Sequence, residues 1–173
     1  NSNYLVDTTA ASVSSIAITD GLGAQNSRLN AGDTVVVTVS MSEAVWIYGG
    51  QLTQDPNDPL KYQDSDDVRE AGKNNPRIAI NIGGSTVYAN YASGSGTNAL
   101  KFTYVVQQGQ TDIDGISIDS GSIDLNGAHI TDLAGNAASL TYNSVGDNSS
   151  YLVDTSAPTV TSVSISGAVG SQF

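Results

Sequence analysis

Oxygen-bearing side chains recur in the short turns of this chain, and they are of the kind that bind hard metal ions. They stand at Glu43 in Ser-Glu-Ala, at Asp112 and Asp114 in Asp-Ile-Asp-Gly, and at Asp132 and Asn136 in Asp-Leu-Ala-Gly-Asn. The chain contains one histidine and no cysteine, so these turns offer oxygen ligands alone. Such ligands suit calcium, which takes about six to eight oxygens, better than magnesium, which keeps several waters. Asp and Gly are also ordinary turn formers, so a purely conformational role for each acid stays open.

The elements that must position these turns are strands. No stretch shows sustained helical periodicity, whereas alternating or β-branched runs recur, as in Thr-Val-Val-Val-Thr-Val-Ser at 34–40, where the valines at alternate positions share one face. The predicted strands are 13–19, 34–40, 44–48, 77–82, 86–91, 100–106, 116–118, 128–131 and 137–142. Short strands separated by Gly, Asn and Asp turns predict an all-β fold, an Ig-like antiparallel β-sandwich with a long inserted loop.

A count of strand directions predicts where the acidic turns lie. If consecutive strands run antiparallel, each connection falls at one of the two ends of the sandwich. Counted from the N-terminus, the connections after 34–40, 100–106 and 128–131 all fall at the end where Asp7 enters the domain. The acids of these connections would repel one another there unless a cation neutralised them. The count therefore predicts one shared calcium site near Asp7.

An insertion interrupts the strand pattern at about 49–76. This segment holds three of the four prolines and three of the six basic residues of the chain. An unstructured loop of that length is uncommon inside a compact domain and is usually functional or mobile. Within it, the sequence predicts a short helix over 66–71 that is capped by Asp66 and ended at Gly72.

The chain nearly repeats its own beginning. Residues 1–10 read Asn-Ser-Asn-Tyr-Leu-Val-Asp-Thr-Thr-Ala, and residues 148–157 read Asn-Ser-Ser-Tyr-Leu-Val-Asp-Thr-Ser-Ala, an offset of 147. Such a self-match predicts a unit of a tandem array. The predicted parts are a linker from the preceding repeat at 1–12, the sandwich repeat at 13–147, and a linker with the first strand of the following repeat at 148–173.

The charge of the chain disfavours two classes of partner. Seventeen acidic and six basic residues leave a formal net charge of -11. That charge opposes sequence-independent binding to nucleic acid or to an anionic lipid surface. There is no cysteine for disulfides and no apolar run of about 18 residues, so we expect no direct membrane insertion. A polar surface rich in Ser, Thr, Gly and Asn is typical of secreted β proteins.

Several motifs together resemble a known family. They are Tyr-Leu-Val-Asp-Thr-Ser-Ala-Pro-Thr-Val (151–160), Asn-Ala-Gly-Asp-Thr-Val (30–35), Ser-Glu-Ala-Val (42–45), Ile-Gly-Gly-Ser-Thr-Val-Tyr-Ala (82–89), Asp-Ile-Asp-Gly-Ile-Ser-Ile (112–118) and Asp-Leu-Ala-Gly-Asn-Ala-Ala (132–138). In this order they resemble the bacterial Ig-like extender repeats of giant calcium-dependent RTX surface adhesins. The resemblance covers nearly the whole chain outside the insertion.

The resemblance implies a function as well as a fold. It implies a β-sandwich, Ca²⁺ at the junctions between domains, and a rod that holds a terminal adhesion domain away from the cell. The ligands that it implies are Asp7 and Asp154 in the linkers and Glu43, Asp112, Asp114, Asp132 and Asn136 in the loops. We therefore expect a non-catalytic, calcium-stiffened module of a secreted or cell-surface bacterial adhesin that supports attachment or biofilm formation. Its partners would be the neighbouring repeats of the same chain, and its location the extracellular face of the bacterium.

A second hypothesis is a ligand-binding module that uses the insertion to hold a glycan or a peptide. Its candidate residues are the aromatic side chains Trp46, Tyr48 and Tyr62 and the carboxylates Asp64, Asp66 and Asp67, which could hold a calcium that bridges ligand hydroxyls. The opposing interpretation is that Trp46 and Tyr48 share one strand face and pack against the core. The acids of the insertion would then be solvated and paired with nearby basic residues, an arrangement that contributes little energy.

Catalysis is the third class, and the sequence disfavours it. A glycosidase needs one carboxyl group with a raised pKa across a cleft from another, and no cleft is evident in the pattern. His129 is the only histidine, so a catalytic triad would lack its partners. We expect the chain not to be an enzyme.

Overall fold

The computed structural model describes residues 6–55, 58–66 and 75–165, with the backbone alone for 50–55 and 58–66. Within these ranges the chain contains strands and no helix. These residues therefore include no helix that could span a membrane. The strands are β1 (Val13–Leu22), β2 (Arg28–Leu29), β3 (Thr34–Asp55), β4 (Asp58–Asp66), β5 (Arg77–Ile82), β6 (Ser85–Ser93), β7 (Thr97–Val105), β8 (Thr111–Asp112), β9 (Ile116–Ile118), β10 (Ile123–Asp124), β11 (Ala128–Thr131), β12 (Val145–Asn148) and β13 (Leu152–Asp154). The predicted all-β class is confirmed.

The strands form one large antiparallel sheet and one small sheet. The large sheet follows the order β1-β3-β7-β6-β5-β9-β12, with β10 beside β5 and with β11 and β4 beside β3. Its two end strands, β1 and β12, contact each other, so the sheet folds over as a sandwich that nearly closes. In the small sheet β13 lies between β2 and β8, parallel to the first and antiparallel to the second. This architecture confirms the predicted antiparallel β-sandwich.

Alternation along β3 explains how the core forms. Val35, Val37 and Val39 are buried, and the residues between them are oriented to the other face, as the two-residue period of a strand requires. They pack in one cluster with Phe102 of β7, whose ring meets Tyr91 of β6 edge to face at 5.8 Å between centroids. A core of branched aliphatic side chains in β conformation therefore holds the two layers together.

One continuous strand replaces two predicted ones. The segments 34–40 and 44–48 belong to β3, which pairs first with β1 and β7 and then with β11. A register shift between Ser40 and Val45 bends the strand without reversing it. The residues between Ser40 and Val45 include no Gly, Pro or Asn, and Met41 is buried. The local sequence therefore favours a continuous strand over a turn. The prediction of a chain reversal at 41–44 was wrong.

Two further segments differ from the predicted pattern. The insertion, expected as an unstructured loop, continues β3 as an antiparallel ribbon with β4. Asp66 ends β4, while Asp67 and the rest of the predicted helix lie outside the described residues. Residues 137–142 do not form a strand. They make isolated bridges instead, in which Ala137 lies opposite Thr131 and Ser139 lies beside Ser12.

Candidate metal centre

The sandwich has two poles, and β7 defines the distance between them. β7 runs from Thr97, opposite Val45, to Val105, opposite Thr34. Its nine residues span about 26 Å at the rise of an antiparallel strand. We call the end near Val45 the N-terminal pole and the end near Thr34 the C-terminal pole.

Three carboxylates meet at the N-terminal pole. Ligand oxygens of Asp7, Glu43 and Asp132 all lie within 4.8 Å of one another. Asp7 arrives on the segment that leads into β1, Glu43 stands on β3 at its bend, and Asp132 follows β11. β11 pairs with β3, which places the turn after Thr131 beside this bend. The structure thus brings together three of the acids that the sequence analysis singled out, from positions far apart in the chain.

Asn136 closes the turn that carries Asp132. Its amide Nδ2 donates to Asp132 Oδ2 at 2.8 Å and to the main-chain oxygen of Asp7 at 3.2 Å. Its backbone N–H donates to Asp132 Oδ1 at 2.9 Å. Desolvation raises the pKa of the buried Asp132 carboxyl, but the hydrogen bonds from Asn136, Ala134 and Gly135 outweigh it, so the pKa lies below its ordinary value. Asp132 is therefore charged at neutral pH.

The cluster carries uncompensated negative charge. Among the described residues, the ion pair in the structure joins Arg77 to Asp124 and does not involve the cluster. Two unit charges at 4.8 Å repel by about 1 kcal/mol in bulk water and by about 3.5 kcal/mol at an effective dielectric constant of about 20. The donors are carboxylates from three separate segments, without imidazole or thiolate. This donor set fits a calcium ion, and Asp7, Glu43 and Asp132 are the residues that would hold it.

Asp112 and Asp114 lie at the other pole, contrary to the strand count. Asp112 ends β8 and pairs with Val153 of β13, next to Asp154. The count failed because β3 does not reverse at 41–44, so β5, β6, β7 and β9 run opposite to their predicted directions. The acids predicted to share one end of the domain are therefore divided between two ends.

Hydrogen bonds within the fold already occupy both oxygens of Asp112. The side chain is 3 % exposed and accepts from the backbone N–H of Gly83 at 2.8 Å and of Gly115 at 2.7 Å. Gly115 has a φ of 112°, and a Cβ there would collide with the main-chain oxygen of Asn148. Asp114 is exposed, and Asp154 accepts from the N–H of Ser156 at 3.0 Å. Asp112 thus joins the turns of the C-terminal pole to each other.

Thr155 holds the departing chain to the C-terminal pole, a contact that the sequence analysis missed. Its hydroxyl donates to the main-chain oxygen of Gln110 and accepts from the N–H of Gly109, both at 2.9 Å. The amide of Gln108 donates to the main-chain oxygen of Thr155 at 2.8 Å. The signal available in the sequence was the strict recurrence of Asp-Thr at residues 7–8 and 154–155.

The two copies of the repeated segment differ in burial in a complementary way. Val153 is 1 % exposed between β2 and β8, whereas the matching Val6 is 87 % exposed. In the second half of the match the order is reversed: Ile18 is 5 % exposed within β1, whereas the matching Ile165 is 97 % exposed. In each pair the buried copy is the one that belongs to a strand of this domain, Val153 in β13 and Ile18 in β1.

The aromatic candidates for ligand binding take part in the sheet. Trp46 and Tyr48 are half-buried on β3 and lie opposite Thr131 and His129 of β11. Tyr62, Asp64 and Asp66 lie on β4, where the structure describes the backbone, and Asp67 lies outside the described residues. His129 lies on β11, within the predicted strand 128–131, and is exposed. These placements favour packing over a binding platform for the two side chains on β3.

Comparison with known proteins adds no relative to this picture. No family model, no curated protein and no solved structure matches the chain.

Proposed function

We propose that this chain is a structural extender module, one unit of a tandem array of β-sandwich repeats. The complementary burial of the repeated segment is the observation that carries the proposal. Val6 has no cover where its copy Val153 is buried, and Ile165 has none where its copy Ile18 is buried. In a tandem array, a unit of the same kind on each side would supply the cover that each of these copies lacks.

The junction between two such units would collect acids from both sides. Asp154 corresponds to Asp7 in the repeat. In the following unit it would therefore meet the counterparts of Glu43 and Asp132, as Asp7 does here. Asp114, which is exposed at the C-terminal pole, would face the same junction from the preceding unit. Acids that the sequence assigned to one end of a single domain would thus come from two neighbouring domains.

Calcium at this junction would make the connection between two units stiffer. Without a cation, the carboxylates repel one another and the linker can bend away from the cluster. With calcium, oxygens from the linker and from the domain share one ion, which fixes the angle between units. Extracellular sites of this kind have dissociation constants of about 10⁻⁴ to 10⁻³ M, so millimolar calcium outside the cell would fill them.

The setting that we propose is a secreted or cell-surface bacterial adhesin, with a non-catalytic role in attachment or biofilm formation. The acidic, cysteine-free composition and the resemblance to Ig-like extender repeats support it. In that setting the partners of the module are the repeats before and after it, and the array spans the distance between the cell and the adhesive tip.

The test is a two-repeat protein, made by placing a second copy of residues 1–147 before the full chain. The offset of the repeat makes this fusion continuous in sequence. We expect small-angle scattering to show a more extended particle with millimolar calcium than with chelator. The matched control carries Glu43→Gln and Asp132→Asn in the second repeat, and it should not extend. A protein whose dimensions do not respond to calcium would refute the ion-stiffened rod.

A further inference from the structure

Each pole of the domain carries a large aliphatic side chain that is more than 80 % exposed. Leu133 is 82 % exposed in the turn between Asp132 and Asn136 at the N-terminal pole. Ile113 is 85 % exposed between Asp112 and Asp114 at the C-terminal pole. Both stand in acidic turns, where conformation alone does not require an apolar residue.

The C-terminal pole also contains a small cavity beside Ile113. Its volume is about 130 Å³, and its lining includes Arg28, Ile113, Leu152 and Asp154. Arg28 is exposed and lies opposite Leu152 in the pairing of β2 with β13. The cavity thus combines the aliphatic side chains of Ile113, Leu152 and Val153 with the charged residues Arg28, Asp112 and Asp154.

In a tandem array, the repeat would bring the N-terminal pole of the next unit close to this cavity. The turn that carries Leu133 contacts the linker directly, because Asn136 Nδ2 bonds to the main-chain oxygen of Asp7 at 3.2 Å. Asp154 corresponds to Asp7 and lines the cavity. The same turn of the following unit would therefore contact the cavity wall, with its leucine one residue from the cluster.

We propose that consecutive repeats dock directly, with Leu133 of the following unit in the cavity beside Ile113 of the preceding unit. This contact rests on the proposed tandem function for its occupant, which is a second copy of the same kind of domain. Burial of both side chains would remove apolar surface from water, which favours association. Arg28 of the preceding unit would be the nearest basic residue to the Glu43 and Asp132 carboxylates of the following unit, while Asp154 and Asp114 add negative charge that calcium would neutralise.

Cross-linking in the two-repeat protein tests this contact, and the absence of native cysteine makes the experiment clean. One variant carries Ile113→Cys in the first repeat and Leu133→Cys in the second. The control variant carries Ile113→Cys in the first repeat and Leu22→Cys in the second. Leu22 is 54 % exposed at the end of β1, on the far pole of its domain. We expect the first pair to form a disulfide at least about tenfold faster than the control pair, because docking raises the effective concentration of the thiols.

A second comparison separates docking from any local effect of a substitution. Leu133→Asn in the second repeat lies at the junction, whereas the same change in the first repeat faces no preceding unit. Only the junction variant should lower the melting temperature of the two-repeat protein. Equal cross-linking rates for the two thiol pairs, or equal melting of the two Leu133 variants, would overturn the docking. Scattering of the unsubstituted protein tests the calcium-stiffened rod separately. If calcium extends the protein but the thiol pair does not cross-link preferentially, the extender function holds and the docking is wrong. If the pair cross-links but calcium does not extend the protein, the docking holds and the calcium-stiffened rod is wrong.

Discussion

The side-chain amide of Asn136 donates a hydrogen bond to the main-chain oxygen of Asp7 at 3.2 Å, across 129 positions of the sequence. The same amide bonds to Asp132. One residue therefore ties the incoming linker to the turn that carries the most buried acid of the cluster. This relationship makes the N-terminal pole a place where the position of the linker and the geometry of the acids depend on each other.

Removing this amide should loosen the linker and the acid together. Asn136→Ala should lower the free energy of unfolding by about 1–3 kcal/mol, because Asp132 is buried and loses a charge-assisted bond. The matched control is Asn143→Ala, at an exposed position outside the cluster. Urea unfolding of both variants measures the difference. Similar stability of the two would mean that the Asn136 bonds contribute nothing to the folded state.

Neutralising one acid of the cluster should have opposite effects with and without calcium. Glu43→Gln removes one of three mutually repelling charges, so the melting temperature without calcium should rise. The rise in melting temperature on adding calcium should shrink, with an affinity about tenfold weaker, since ligand charge sets the affinity of such sites. The fluorescence of Trp46, the single tryptophan, can follow the titration, because Trp46 pairs with Thr131 next to Asp132.

The control for this prediction is Asp20→Asn, an exposed acid on β1 outside the cluster. It should leave the calcium response unchanged. An unaltered calcium response in Glu43→Gln would remove Glu43 from the ligand set. A parallel loss in both variants would point to a general effect of net charge.

The two acids of Asp-Ile-Asp-Gly should behave differently. Asp112→Ala leaves the backbone N–H groups of Gly83 and Gly115 without their acceptor, so it should lower the free energy of unfolding by about 1–3 kcal/mol. Asp114→Ala changes an exposed side chain and should stay within about 0.5 kcal/mol of the parent. Chemical unfolding without calcium measures both. Equal effects would contradict the structural role assigned to Asp112.

Acid should weaken the ion pair between Arg77 and Asp124, and the pH dependence should identify the carboxyl group of Asp124 as its cause. A backbone hydrogen bond from Asn126, followed by the bond to Arg77, holds the pKa of Asp124 below its ordinary value. A depressed pKa stabilises the fold above the unfolded value of about 3.9, and this stabilisation is lost as pH falls through the folded value. Compared with Asp124→Asn, the parent should be more stable at pH 7 and lose that advantage below about pH 4. A difference that does not vary with pH would exclude this linkage.

The insertion should be separable from the sandwich. Within the insertion, β4 pairs only with residues 49–55 of β3. The core residues of β3 and β5 pair with other strands of the sandwich. Replacing residues 51–74 by a short Gly-Ser linker should therefore leave the domain folded and its calcium response intact. Circular dichroism and calcium-dependent melting check both. If a glycan or peptide array shows binding that the shortened protein loses, the insertion is a recognition element.

The strands that the sequence predicted best are those whose alternation is local. The bounds of 77–82, 116–118 and 128–131 are those of β5, β9 and β11, because each has apolar residues at alternate positions between turn formers. Where the pairing is set by distant partners, the prediction failed. The ribbon of β3 with β4 has no such alternation and includes Pro59 near its start.

The sequence by itself determined the all-β class, the recurrence of the linker segment and the oxygen-rich chemistry of the turns, because composition and spacing are local properties. Only the tertiary structure decided which acids meet. The bend of β3 at 41–44 depends on its pairing with β7, and that one non-reversal moves Asp112 and Asp114 to the opposite pole from Glu43. Burial of Thr155 and exposure of Leu133 likewise depend on contacts between distant segments, which spacing along the chain does not encode.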